Sequence, residues 1–176
     1  SVEAMGFENG VKIYDCLTHQ VVAANVQGSY TVNIPAHGSC AYFVTGKRAE
    51  KKIYQAEESW MKAYQELGKK GTAVYVPCEA ADQGEYAGTL GNNADNYLEW
   101  RNVYSKKGGT YTISIRYASA DPRNMELTVN GTLVKRLNGL NSGDYTKNWK
   151  TADVQIHLKK GMNTVRLSNP DNWMPN

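Results

Sequence analysis

The residues that could carry catalysis are few and scattered. His19, His37 and His157 fall in separate strands or turns. None stands in the His-x-x-x-His or Glu-x-x-His spacing that puts two zinc ligands on one helix face. There is no Gly-x-Ser-x-Gly elbow and no Gly-x-x-x-x-Gly-Lys phosphate loop. Paired acids occur at Glu57/Glu58 and Asp82/Glu85. Two carboxylates across a glycosidic bond would suffice for hydrolysis, but nothing in the sequence places either pair across a substrate. Cys16, Cys40 and Cys78 lie far apart with no Cys-x-x-Cys, which leaves zinc and thioredoxin-like chemistry without support. A Cys16–Cys40 bridge stays open; the reading adopted is three buried thiols.

Binding chemistry has more to work with. Twelve tyrosines and four tryptophans stand against two phenylalanines. Tyr and Trp combine a flat apolar face with a hydrogen-bonding edge, which suits wet binding surfaces as well as half-buried sheets. The formal charge of +3 comes from scattered pairs (Lys51-Lys52, Lys69-Lys70, Lys106-Lys107, Lys159-Lys160) rather than a basic run. That argues against a nucleic-acid partner. No segment approaches the ~18 apolar residues of a membrane helix. Ser1-Val2-Glu3-Ala4 has neither the basic nor the apolar region of a secretory leader. On these grounds the chain reads as cytosolic, or as a processed or excised piece.

The elements that must position these residues are strands. Residues 11–17 and 30–34 alternate apolar and polar, with a weaker strand at 20–24 and turn chemistry at 35–39 leading into a strand at 40–44. Four strands in so short a stretch bury little, so residues 1–46 read as part of a sheet. A polar linker covers 47–52. Ile53, Tyr54, Glu57, Trp60, Met61, Tyr64 and Leu67 then follow helical spacing up to Gly68. Beyond it, strands are expected at 73–77, 97–103, 110–117, 126–129, 132–137, 154–158 and 163–167, with a loop over 84–96. Asn130-Gly131 between two alternating runs predicts a type I′ hairpin. Strands at this spacing predict an all-β fold, an antiparallel β-sandwich of jelly-roll type.

Five motifs in order make the second part recognisable. They are Tyr54-Gln55-Ala56-Glu57, Asn96-Tyr97-Leu98-Glu99-Trp100, Gly109-Thr110-Tyr111 running to Arg116-Tyr117-Ala118, Val129-Asn130-Gly131, and Gly161-Met162-Asn163-Thr164-Val165-Arg166-Leu167. Together they resemble carbohydrate-binding modules of families 6 and 35. The resemblance implies a strand at 54–57, which confines any helix to about 59–67. In the first part, Ile13-Tyr14-Asp15-Cys16 and Ile34-Pro35-Ala36-His37-Gly38 resemble the C-terminal β-domain of family 27 glycoside hydrolases, the α-galactosidase group. The division expected is therefore a partial β-domain at 1–46, a linker at 47–52 and a sugar-binding sandwich at 53–176.

Carried over by position, the resemblance implies a sugar site in loops at one end of the sandwich. Tyr86 in the loop at 84–91 would be one aromatic platform, and Tyr145 or Trp149 the other. Asn172, with Asn176 as alternate, would supply the amide, and Trp173 is a further aromatic candidate. Trp149 serves equally well as a core anchor before a strand. Tyr145 stands where the family commonly has Trp. The family also implies a structural calcium on Gln55 and Glu57 with a backbone carbonyl from 78–82. Its usual closing carboxylate would follow Asn176, where this sequence stops. The expected function is non-catalytic carbohydrate binding that targets a parent hydrolase, secreted, periplasmic or at the cell surface, to a galactose-containing polysaccharide. Two rivals stay open: a mainly structural module of a glycosidase, which would lack exposed aromatics, and a protein-interaction sandwich, which would show a broad apolar patch.

Overall fold

The computed structural model describes residues 1–64 and 72–176, and its elements are almost entirely strands. The described chain divides into two compact units, Ser1–Ile53 with Tyr104–Lys106, and Tyr54–Val103 with Lys107–Asn176.

The first unit is a three-stranded antiparallel sheet in the order β2-β1-β3, formed by β1 (Val11–Asp15), β2 (Val21–Val26) and β3 (Tyr42–Thr45). Alternation along β1 sends Val11 and Ile13 inward, where they pack with Val2, Phe7 and Val26. The opposite face carries Tyr14 stacked flush on Phe43, with ring centroids 4.7 Å apart. The expected strand at 30–34 does not form, and Tyr30 and Ile34 are exposed. The described sheet ends at β2 on one side and β3 on the other, and residues 30–34 join neither outer edge. Residues expected to be a linker pair back locally: Arg48 bridges Phe7, and Lys47 forms a 2.7 Å ion pair with Glu8.

The second unit holds β4 (Val74–Pro77), β5 (Glu85–Gly88), β6 (Leu98–Ser105), β7 (Gly109–Tyr117), β8 (Arg123–Val129), β9 (Thr132–Leu140), β10 (Lys150–Leu158) and β11 (Gly161–Ser168). They form a four-stranded sheet β6-β11-β8-β9 and the pairs β10-β7 and β4-β5. Alternate residues of β8, β10 and β11 point inward and close a core around Met125, Leu127, Val154, Ile156, Val165 and Leu167. Register stacks Val165 against Val129 and Leu167 against Leu127 across the β11–β8 pair. The expected hairpin joins β8 to β9, with φ of 51° at Asn130 and 81° at Gly131.

Further expectations fail here. Residues 59–64 are not helical. Trp60 and Glu99 exchange backbone hydrogen bonds of 2.8 and 3.0 Å, and Met61 enters the core. Pairing with β6 takes the amide groups that a helix would need. The remainder of that expected helix, 65–67, lies outside the described residues. The strand expected at 54–57 is replaced by a 3-10 turn at Ala56–Glu58. The loop expected over 84–96 contains β5, so Tyr86 stands on a strand. Among the described residues the three cysteines are free thiols, and none is fully buried.

Candidate functional site

Three segments of the second unit meet around Trp149. β5 brings Tyr86. Residues 141–149, between β9 and β10, bring Tyr145 and Trp149. Residues 169–176 bring Asn176.

The 141–149 segment is held by side chains that replace a ladder. Ser119 carbonyl accepts from the backbone amides of Ser142 (2.8 Å) and Gly143 (3.1 Å), and the Ser119 amide donates to Ser142 Oγ (2.9 Å). Asp144 Oδ1 accepts the amides of Thr146 and Lys147 at 2.7 Å each. Those backbone bonds hold its carboxyl below the usual range. The Thr146 carbonyl then gathers two donors, Trp149 Nε1 at 3.0 Å and the Cys78 thiol at 3.3 Å. A short segment with so many local bonds presents its aromatics in a fixed attitude.

Within that frame Tyr86 meets Trp149 edge to face, with centroids 5.8 Å apart and planes at 65°. Both side chains are half-buried. Burial pushes the Tyr86 phenol above its ordinary value. Arg116 lies 5.0 Å over the Trp149 ring and donates to the Ala80 carbonyl at 3.3 Å. Tyr145 is tied from both ends: its hydroxyl donates to Asp121 and accepts from Arg123 (2.9 Å), whose guanidinium lies 4.7 Å over the ring. The bond to Asp121 raises the Tyr145 phenol. The Tyr145 hydroxyl is thus engaged both as donor and as acceptor.

Asn176 is anchored by a two-way backbone pair with Ala118, both bonds 3.0 Å, and its Nδ2 donates to the Tyr145 carbonyl at 3.1 Å. Its Oδ1 faces the Tyr86–Gly88 edge of β5. Asn172 is placed differently. Its Oδ1 accepts the Trp173 amide (2.8 Å) and its carbonyl accepts the Asn92 amide (2.8 Å). Gly91 makes that docking possible, since a Cβ there would stand 2.5 Å from the Asn172 carbonyl oxygen. Trp173 pairs with Gly91 in the same place. The structure therefore joins Tyr86, Tyr145, Trp149 and Asn176, while Asn172 and Trp173 secure the 91–92 turn. Arg116, Asp121, Arg123 and Cys78 complete the cluster and were missed. Arg116 is exposed on β7, and its ring partner Trp149 comes from a distant segment, which no local pattern marks.

Gln55 caps the 3-10 turn and Glu57 lies within it. The Gln55 carbonyl accepts Trp100 Nε1 (2.8 Å), and the Glu57 carbonyl accepts the Tyr75 hydroxyl (2.9 Å). Burial pushes the Glu57 carboxyl upward, and Glu85, Glu58 and Asp82 push the same way. Crowded carboxylates of this kind are hard-oxygen donors and suit a calcium ion in charge. Among the described residues no three Asp, Glu, His or Cys side chains converge tightly enough to hold a metal. A cation here would draw on the Gln55 amide oxygen and backbone carbonyls beside Glu57.

A separate groove of about 390 Å³ lies on the four-stranded sheet, between Glu99, Thr128 and Arg166. Its acid is already engaged. Glu99 accepts from Arg101 (2.7 Å) and Arg166 (2.6 Å); burial would raise its carboxyl, but the two arginines outweigh that and hold it low.

No family model and no curated protein sequence matches the chain. Solved structures do. A family 35 carbohydrate-binding module from Clostridium thermocellum is similar at 29% identity over 70% of this chain and 91% of that one, with a TM-score of 0.60. The fold is the β-sandwich of these modules. A family 35 module from Paenibacillus barcinonensis aligns over 59% of this chain and 82% of its own, at 24% identity and TM-score 0.51. An exo-β-1,3-galactanase from Phanerochaete chrysosporium, solved with β-1,3-galactotriose, aligns over 87% of this chain at 21% identity and TM-score 0.58. This chain spans 33% of that enzyme, and likeness at such identity is a likeness of fold.

Proposed function

We propose that residues 53–176 form a non-catalytic carbohydrate-binding module, with the sugar seated at the Tyr86–Trp149 pair. The observation that carries this reading is that pair, half-exposed at the joint of three segments, with an amide oxygen beside it. Sugars present flat C–H faces ringed by hydroxyls, so an aromatic surface next to a hydrogen-bond acceptor is a matching chemistry. Similarity to family 35 modules supports the same reading. The residues gathered there offer walls, cations and an amide, and no nucleophile set beside a base.

The module would act by tethering. Linked to a glycoside hydrolase, it raises the enzyme's effective concentration at its polymer. Residues 1–46 would belong to that parent's β-domain, of the α-galactosidase type, and a galactose-containing polysaccharide would be the target. Secretion, whether to the periplasm, the cell surface or the medium, would follow from that task. No helix among the described residues is long and apolar enough to cross a membrane. Calcium, held at Gln55 and Glu57, would serve structure by neutralising the acidic side chains there.

A glycan array in calcium-containing buffer tests the reading. Wild type should bind at least one galactose-containing glycan, with Tyr86→Ala and Trp149→Ala each weakening binding by about tenfold or more, since aromatic anchors dominate such interfaces. Wild-type silence across the array would overturn it.

A further inference from the structure

Position 88 in β5 is a glycine that the backbone does not require. Its φ lies outside the left-handed region, and it pairs with Val74 in ordinary antiparallel register. A glycine inside a strand weakens it and often marks a close approach by something else. Here the approach is by two side chains of the proposed site. A Cβ on Gly88 would stand 2.8 Å from Tyr86 Cε2, 3.4 Å from Cδ2 and 3.5 Å from Asn176 Oδ1. Contacts under about 3 Å between carbons do not occur without displacement, because repulsion rises steeply inside the optimal 3.5–4.0 Å.

The geometry follows from the pleat. Tyr86 and Gly88 are two residues apart, so they share one face of β5, while Ala87 between them enters the core. A tyrosine on a strand ordinarily stands off the sheet. Tyr86 instead reclines along its own strand over the bare position 88, and Gly88 is buried although it points away from the core. Reclining sets the ring edge to face with Trp149, and the ring and Asn176 Oδ1 both border the bare position 88.

We propose that Gly88 is a positioning residue. The missing side chain at 88 lets Tyr86 lie down into the site, so that one ring face and the Asn176 Oδ1 address the same sugar residue. This rests on the sugar-binding reading above for its ligand, but not for its geometry.

The test is a double-mutant cycle on the full chain, combining Gly88→Ala with Tyr86→Ala. Affinity for galacto-oligosaccharides is measured by titration calorimetry, and the Trp149 indole N–H resonance, assigned by its loss in Trp149→Phe, is followed by NMR. Gly88→Ala is expected to weaken binding by about tenfold in the wild-type background and by less than about twofold once Tyr86 is gone, the signature of coupled neighbours. It should also shift the Trp149 resonance without any sugar present. Equal losses in both backgrounds, or an unmoved resonance, would overturn the proposal. Should Gly88→Ala lose its cooperative thermal transition, the double variant must regain it if the ring is the obstacle; failure to do so also overturns it. A wild type that binds no galacto-oligosaccharide, with a resonance that still moves, would leave the positioning claim standing and remove the ligand assigned to it.

Discussion

At the scale of single residues, Glu99 and Glu57 stand in opposite electrostatic surroundings. Glu99 sits between two arginines and is held ionised. Glu57 has acids for neighbours, and its carboxyl is pushed above its ordinary value of 4.5. The folded chain therefore binds that proton more tightly than the unfolded chain does. Stability from this group is greatest below its unfolded value and is lost as pH rises through the folded one. A calcium ion at Gln55 and Glu57 would reverse the trend by favouring the ionised form. Thermal melts in chelator between about pH 4 and about pH 8 should then show Glu57→Gln overtaking wild type as pH rises. Calcium should raise the wild-type midpoint and leave that of Glu57→Gln unmoved. No calcium shift in wild type would remove the cation from the proposal.

At the scale of elements, local chemistry and tertiary pairing agree in the β8–β9 hairpin and disagree around Trp60. Asn130 does three things at the hairpin. It adopts a positive φ, donates from Nδ2 to Asn163 Oδ1 (2.8 Å), and accepts the Thr164 amide at Oδ1 (3.0 Å). Asn163 is buried and also bonds the Lys159 and Gly161 carbonyls, so the two asparagines lock the β8–β9 and β10–β11 turns together. Asn130→Ala should destabilise by about 2–3 kcal/mol, the sum of left-handed strain and lost hydrogen bonds. Asn130→Gly keeps the φ and should cost about half of that. Urea denaturation of both variants separates the two contributions; equal costs would show that the side-chain bonds alone matter. Near Trp60, the spacing predicts a helix because Tyr54, Glu57, Trp60, Met61, Tyr64 and Leu67 fall three or four residues apart along one helical stripe. Backbone pairing with β6 decided otherwise, and pairing between distant segments leaves no mark on local periodicity.

At the scale of the molecule, the second unit has its own core of inward-facing residues from β6, β8, β10 and β11. A chain of 54–176 is expected to unfold in one cooperative thermal transition and to keep the glycan affinity of the full protein. A fragment that never folds, or folds without affinity, would count against a self-contained module. The first unit presents Tyr14 stacked on the exposed Phe43.

What the sequence determined alone was the strand chemistry: alternation along β7, β8, β10 and β11, and the Asn130-Gly131 turn. Side chains two apart must share a face, and few residues accept a positive φ, so these features are legible without any partner. Tertiary structure alone decided that Tyr86 lies on a strand over Gly88, that Asn176 rather than Asn172 reaches Tyr145, and that Arg116 and Arg123 stack on the site's aromatics. Each of those contacts joins residues dozens of positions apart or hangs on a few tenths of an ångström. Only the folded chain fixes distances of that kind.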